Sequence, residues 1–283
     1  MSTAGAAVAP EMPSITCTET LAARPAEAYR LTFGGGDAPL TEGCALPWGR
    51  HGLYFQQVPP GSALRPDGSS LAGSVLPDLG LPLRVFGSET TVFHHPMRLG
   101  ERCSMTANLA TVRDRPRAHG RMALVTTREV IHSPAGLALE TERITIFMGR
   151  SAHGALPSPK RVSGQEPCWE EPRTLDAVDL FRFSALTLNA HRAHFDHAWT
   201  TEHEGYPALL VHGPLTAMLL LDFALRQLGG ARPSRYEVRA MAPLFVDELF
   251  HLMGRPVAGG ADLWVEGGGG RLVLQARLEV HEA

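Results

Sequence analysis

The chain contains 283 residues, of which 44% are hydrophobic and 19% are charged, and this balance excludes large-scale disorder. Its formal net charge of -3 offers no positive field for nucleic acid, which we therefore exclude as a partner. The cysteines lie far apart without a Cys-x-x-Cys spacing, so neither a zinc ribbon nor a redox pair is expected. Residues 1–13 lack the features of a secretory signal and no uncharged apolar segment reaches roughly 18 residues. We expect a cytoplasmic protein that has no membrane partner.

The first half of the chain predicts one helix, a packed irregular region and an antiparallel sheet. Residues 18–31 have a helix-like pattern, and glycines 34–36 are suited to end that helix because glycine accepts the left-handed conformation. Residues 46–84 are rich in Pro and Gly yet carry large apolar side chains, which indicates packed irregular structure. β-rich runs separated by turn signals follow at residues 90–94, 103–112, 121–132 and 137–148, as in an antiparallel meander.

A polar stretch at residues 149–173 predicts an interdomain linker. It contains four prolines and has little hydrophobic periodicity. We place the boundary near residue 160, which gives a first domain of residues 1–160 and a second of residues 161–283.

The second half predicts a buried helix and a second antiparallel sheet. Residues 215–228 are apolar on almost every side of a helix, which should therefore be wrapped by other structure. The strand candidates are residues 236–240, 248–255, 261–265 and 271–280, with a hairpin turn at glycines 267–270. A helix enclosed by a curled antiparallel sheet is the hotdog arrangement. The predicted fold is α+β, with two hotdog halves in one chain, although the central helix of the first half is hard to see.

Two segments of the second half combine a proton-transfer group with an oxyanion-binding group. Residues 184–196 include His194, and a histidine with an ordinary pKa of ~6.5 can take and return a proton near neutral pH. Gly213 and Pro214 open the predicted helix, whose first N–H groups lack partners within the helix and can bind a thioester oxygen. This combination suits adding water to, or removing it from, a thioester-activated carbon chain.

These segments resemble a known family, the two-hotdog MaoC-like hydratases and dehydratases of acyl thioesters. The resemblance is to the branch that includes itaconyl-CoA hydratase, mesaconyl-C4-CoA hydratase and the mitochondrial hydroxyacyl-thioester dehydratase. It extends over roughly residues 40–255, and its most specific motifs are residues 180–187, Asn189-x-His191-Arg192-x-His194-x-Asp196, residues 204–207 and residues 211–215. It implies one active site per chain, formed by the second half, with a first half that has lost the motif and helps to shape the acyl pocket.

The chain departs from the broader family at Asn189. Single-hotdog (R)-specific enoyl-CoA hydratases carry an Asp at this position, five residues before the catalytic His, which matches His194. An amide cannot act as a general base, although it can hydrogen-bond a water molecule. The resemblance therefore assigns proton transfer mainly to His194, with Asn189 and Gly213 completing the catalytic set and Asp196 as a lesser candidate.

Other residues are candidates for substrate binding. Arg192 could hold a second carboxylate by a two-point contact, although a surface ion pair is an equal alternative. His212 could shape the oxyanion site, and Trp48 and Tyr54 could line the acyl pocket or belong to the core. The histidines at 191, 194 and 197 have no Cys or Glu that completes a recognisable set, so no metal is expected.

The resulting hypothesis is a hydro-lyase that hydrates itaconyl-CoA or mesaconyl-C4-CoA to a 3-hydroxyacyl-CoA such as citramalyl-CoA. No cofactor is expected besides the CoA thioester, which is the substrate. The alternatives are a fatty 3-hydroxyacyl-thioester dehydratase, a catalytically silent acyl-thioester binding protein and a thioesterase. Both a monomer and a homodimer are compatible with two hotdogs in one chain.

Overall fold

The computed structural model describes residues 13–34, 36, 38–70, 74–117, 120–149 and 166–281. Within these residues, ten strands form one antiparallel sheet. In chain order they are β1 (Ser14–Thr20), β2 (Leu83–Phe93), β3 (Arg102–Arg117), β4 (Gly120–Ser133), β5 (Gly136–Met148), β6 (Trp169–Arg173), β7 (Pro233–Ala240), β8 (Phe250–Val257), β9 (Gly260–Gly267) and β10 (Arg271–Val280).

The strand order shows that the sheet consists of two equivalent halves. The order is β1-β3-β4-β5-β2-β7-β10-β9-β8-β6. From one edge inward it runs β1-β3-β4-β5-β2, and from the other edge inward it runs β6-β8-β9-β10-β7, which is the same order with each strand number raised by five. The halves join where β2 pairs with β7, with Thr91 opposite Tyr236. The predicted meander of the first half and the predicted strands of the second are confirmed, and the strands are mostly longer than predicted.

The described residues form four helices. They are α1 (Ala23–Phe33), α2 (Ala177–Thr187), α3 (His197–Glu202) and α4 (Gly213–Gln227). The long helix α4 packs against β8, β9 and β10, and apolar side chains on several of its faces are buried. The predicted central helix of the second half is thus confirmed. None of the described helices is long and apolar enough to cross a membrane.

In the first half, the described part of the segment that corresponds to α4 in chain order is irregular. Between α1 and β2 the described residues form only two 3-10 turns, Arg50–Leu53 and Gly61–Ala63. Leu46, Leu53 and Tyr54 nevertheless belong to the main hydrophobic core, each at most 4% exposed. The predicted packed irregular region is confirmed.

Two predicted boundaries were wrong. Residues 18–20 belong to β1, where Cys17 lies opposite Met105 of β3, and α1 begins only at Ala23. Residues 169–173 form β6 on the edge of the sheet, not a linker, and an edge strand tolerates Pro172 because one side needs no ladder hydrogen bond. The predicted end of α1 at the glycines is confirmed, since Gly34 follows its last residue with φ 90°. The predicted domain boundary near residue 160 lies outside the described residues.

Candidate active site

The chain between α2 and α4 folds back on itself and brings two histidines together. A 3-10 turn at Arg192–His194 places His194 beside the residue that precedes α4, His212. Their rings are stacked, with centroids 3.6 Å apart and planes 20° apart. The backbone of Leu210, two residues before His212, also forms a hydrogen bond with His194 and so links the two motifs.

The hydrogen bonding of His194 leaves one ring nitrogen free for chemistry. Nδ1 lies 2.8 Å from the carbonyl oxygen of Leu210, to which it must donate because a carbonyl oxygen only accepts. Nε2 then carries the lone pair, and it has no hydrogen-bond partner among the described residues. Burial lowers the pKa of His194 to about 4, although the hydrogen bond to Leu210 opposes that shift. The imidazole is therefore neutral near pH 7, the form required of a base.

His212 is a buried polar residue whose ring is stacked on that of His194. Its side chain is 1% exposed, and Nε2 lies 2.9 Å from Oγ of Ser184, which is also buried. Among the described residues its Nδ1 has no partner. Burial and the neighbouring His194 hold the pKa of His212 far below its ordinary value. Its role is therefore that of a neutral packing and hydrogen-bonding group.

The start of α4 is a helix N-terminus without a side-chain cap, as an oxyanion site would require. His212 occupies the N-cap position without a side-chain capping bond, and Pro214 lies in the first turn. A Cβ atom added to Gly213 would lie 2.9 Å from the ring of Phe86 on β2, so the close approach of that ring requires glycine. The first N–H groups of the helix carry a partial positive charge that favours an anionic oxygen.

Asn189 lies on the wall of a cavity between the halves of the molecule. Its backbone N–H donates to the carbonyl oxygen of Ser184 over 2.9 Å, and its Oδ1 accepts from the backbone N–H of His191 over 3.1 Å. The Nδ2 atom has no partner in the part of the chain that the structure describes. This arrangement leaves the amide N–H groups available to a water molecule or a ligand.

The cavity has a volume of about 530 Å³, within the range of small-molecule sites. Asn189, His212 and Pro214 line it from the second half. His194 and Gly213 are not among the lining residues, but the His194 ring is stacked on His212, and Gly213 lies between His212 and Pro214 in the chain. From the first half it is lined by residues of β2 and the irregular region, including His51, Arg84, Glu89, Thr91 and Phe93. The site is therefore built from both halves.

The two aromatic candidates of the first half do not line this cavity. Tyr54 is 3% exposed, and its hydroxyl donates to the carbonyl oxygen of Ala22 over 2.6 Å. Trp48 packs edge-on against Phe93, with ring centroids 5.3 Å apart. Trp48 therefore supports a residue that lines the cavity, and Tyr54 belongs to the core.

Arg192 also does not line the cavity. Its guanidinium binds the carboxylate of Asp196 at 2.6 and 2.9 Å and lies 4.3 Å from the ring centroid of Trp199. Its backbone N–H donates to the carbonyl oxygen of Asp67 over 2.8 Å. Arg192 therefore forms an ion pair, which was the alternative prediction. Its guanidinium is not free to make the two-point contact with a substrate carboxylate.

The contact with Asp67 fastens the first half to the motif of the second. The turn at residues 66–70 lies directly on the motif, because a Cβ atom added to Gly68 would be 1.9 Å from the carbonyl oxygen of Ala190. Gly68 also has φ 82°, a conformation that favours glycine. The backbone of Arg192 thus links the two halves through its hydrogen bond to Asp67.

His191 has a carboxylate partner that the sequence motif did not reveal. Its Nε2 lies 3.1 Å from Oε1 of Glu204, which also accepts from Nε1 of Trp199 over 3.0 Å. The His191 ring meets the His194 ring edge-on at 5.5 Å. Among the described residues, no group of three or more His, Cys, Asp and Glu side chains is arranged to hold a metal ion.

Sequence reasoning also missed the polar residues that the first half contributes to the cavity. Glu89 lies 2.7 Å from the guanidinium of Arg143, another residue of the lining. His51 is buried, and burial lowers its pKa to about 4. The spacing of Glu89, Thr91 and Phe93 along β2 is the two-residue period of one strand face, which was the available signal.

Known proteins resemble this chain in sequence. A sequence model of hydroxyacyl-thioester dehydratase type 2 matches residues 49–246. A mesaconyl-C(4)-CoA hydratase of Chloroflexus aurantiacus is 33% identical over 231 residues, which cover 81% of this chain and 82% of that protein.

Solved structures resemble it in fold. A MaoC-like dehydratase superposes with a TM-score of 0.71 at 14% identity, covering 97% of this chain and 99% of the other. A Mycobacterium tuberculosis protein described as a double hotdog superposes with a TM-score of 0.59 at 16% identity, covering 96% of each chain. The predicted α+β double-hotdog fold is confirmed.

Proposed function

This chain belongs to the hydroxyacyl-thioester dehydratase type 2 family, and we propose that it hydrates a short, branched dicarboxylic enoyl-CoA reversibly. The enzyme is a hydratase or dehydratase of acyl thioesters. The proposed substrate is itaconyl-CoA or mesaconyl-C4-CoA, and the product a 3-hydroxyacyl-CoA such as citramalyl-CoA. Similarity to a relative that carries the name mesaconyl-C(4)-CoA hydratase supports this choice.

One observation carries the proposed chemistry: a neutral imidazole with a free Nε2 lies beside the start of a helix. His194 Nε2 would take a proton from a water molecule whose oxygen accepts a hydrogen bond from Asn189 Nδ2–H. In mesaconyl-C4-CoA, whose double bond is conjugated with the thioester, the hydroxide oxygen would bond to the β carbon as the double-bond electrons move to the α carbon and the thioester oxygen. N–H groups of the first turn of α4 would stabilise that oxygen. His194 would then return the proton to the α carbon.

The remaining residues of the site would hold these groups in place. The Leu210 carbonyl fixes the tautomer of His194, and His212 holds its ring by stacking. The chemistry requires no cofactor besides the thioester, which itself acidifies the α carbon. A cytoplasmic location, a homodimer and the role of Asp196 as a lesser catalytic candidate remain predictions.

A fatty 3-hydroxyacyl-thioester dehydratase is the second candidate. The matching family is named for the dehydration of hydroxyacyl thioesters. A second cavity of about 860 Å³ shares Gln56, Gln57, Val58 and Leu188 with the first and would provide room for a longer chain.

A panel of acyl thioesters tests these proposals. We would incubate the protein with mesaconyl-C4-, itaconyl-, crotonyl- and longer enoyl-CoAs and detect the gain of one water by mass spectrometry, with thiol release as a measure of thioesterase activity. Selective hydration of the branched dicarboxylic substrates would support the proposal. Preference for long chains would instead support the fatty-acid candidate, and tight binding without added water would identify the silent binding protein.

A further inference from the structure

Arg84 is a cavity-lining cation that has no carboxylate partner in the described part of the chain. It lies on β2, half-buried, and its only hydrogen bond among these residues runs from Nη1 to the carbonyl oxygen of Ser70 over 3.3 Å. Arg143 lines the same cavity but is neutralised by Glu89 at 2.7 Å. A half-buried guanidinium with a single long bond to a neutral carbonyl retains most of its capacity to bind an anion.

The surroundings of Arg84 also favour an anion. Burial lowers the pKa of Arg84, and the positive charge of Arg65 lowers it further. Asp67 and Asp78 oppose this effect only from a distance, since both are engaged locally. Asp67 accepts from the N–H and the hydroxyl of Ser69 at 2.9 and 2.6 Å, and Asp78 accepts from the N–H of Gly80 at 3.0 Å. A bound anion would therefore offset a charge that, among the described residues, no carboxylate contacts directly.

The position of Arg84 relates it to the reacting carbons. It precedes Phe86 by two residues on β2, and the Phe86 ring packs against Gly213 at the start of α4. Two residues of a strand span about 6.6 Å, and the register shift in β2 begins only after Phe86. A short acyl chain whose thioester oxygen lies at α4 could thus extend along β2 towards Arg84.

We propose that Arg84 binds the free carboxylate of a dicarboxylic acyl group and thereby selects the substrate. The contact would be a two-point guanidinium–carboxylate bond, the role expected for Arg192, whose guanidinium is occupied by Asp196. This inference rests on the proposed function in that the acyl thioester must occupy this cavity. A phosphate group of CoA could satisfy the same guanidinium, so the test must separate the two anions.

Saturated acyl-CoAs make the test independent of turnover. Succinyl-CoA and butyryl-CoA share the CoA group and differ by a carboxylate in place of a methyl group, and neither can be hydrated. Isothermal titration calorimetry would compare their binding to the wild type, Arg84→Gln, Arg84→Lys and the control Arg239→Gln. Arg239 is an exposed arginine on the neighbouring strand β7 and lies outside the cavity lining.

We expect the wild type to bind succinyl-CoA about 10- to 100-fold more tightly than butyryl-CoA, the range for a hydrogen-bonded charge pair. Arg84→Gln should abolish that preference and leave butyryl-CoA binding unchanged, Arg84→Lys should retain part of it, and Arg239→Gln should behave as the wild type. The circular dichroism spectrum of each variant would establish that it is folded, and Arg84→Lys would provide the test if the Gln variant is not.

Three results would overturn the inference. A wild type without preference for succinyl-CoA removes the carboxylate contact. Equal weakening of both ligands and of free CoA by Arg84→Gln assigns Arg84 to a CoA phosphate. Retention of the preference in Arg84→Gln places the carboxylate site elsewhere. Failure of the proposed function would give a different result: enoyl-CoAs would bind without being hydrated, whatever the effect of substituting Arg84.

Discussion

Removal of His194 provides the most direct test of the site, because one ring nitrogen is assigned the whole proton transfer. We expect His194→Ala to lower kcat/KM about 10²- to 10⁴-fold, or by about 3 to 5.5 kcal/mol of transition-state stabilisation. The structure supports a loss of this size because Nδ1 is held by the Leu210 carbonyl and the neighbouring Asn189 cannot replace a base. The control is His197→Ala, which removes an exposed histidine three residues further along and should leave the rate unchanged.

The pH dependence of the wild type tests the same assignment. A pKa of about 4 leaves only about 0.1% of His194 protonated at pH 7. Because hydration requires the neutral ring, kcat/KM should rise as the pH increases through about 4 and then stay level to neutral pH. The assay is the initial rate of water addition to enoyl-CoA from pH 3.5 to 8, with brief exposure to acid. Near-normal turnover by His194→Ala, or an acid limb near ~6.5, the ordinary value for histidine, would refute the reasoning.

Two further substitutions test the parts around the site. Arg192→Ala should reduce hydration of itaconyl-CoA and crotonyl-CoA by the same factor, because its guanidinium contacts Asp196 and lies outside the cavity lining; a selective loss on itaconyl-CoA in the mass-spectrometric assay would contradict this. Asp222→Ala should lower the free energy of unfolding in urea by about 3 to 5 kcal/mol, because it leaves the buried guanidinium of Arg50, now 2.5 Å from Asp222, without its counter-charge. The double variant Arg50→Met/Asp222→Leu should recover most of that loss, and a double variant as unstable as Asp222→Ala would count against the explanation.

Elements whose structure is determined by their own residues could be predicted from the sequence. Elements that form only through contact with a segment distant in the chain could not. Helix α4 was predicted because apolar residues surround it, and this property requires no knowledge of its neighbours. Strand β6 was missed because its polar, Pro-containing sequence becomes a strand only through pairing with β8. The sequence likewise identified the His194 motif but not the partner of Arg192, since Arg–carboxylate geometry depends on how the chain turns at Asp196. The orientation of Arg84 into the cavity depends on β2 register and could not be read from its sequence alone.

The unequal halves suggest a reason for keeping two hotdogs in one chain. The second half supplies α4, the paired histidines and Asn189, and in the proposed mechanism these groups act on features common to all enoyl thioesters. The described residues of the first half include no long helix between α1 and β2, the position equivalent to α4, and the irregular chain there reaches the motif of the second half through the turn at Gly68. Since β2 contributes Arg84 to the same cavity, substitutions in the first half could alter the accepted acyl group without displacing His194. Substrate choice and proton transfer would then vary independently within one continuous sheet.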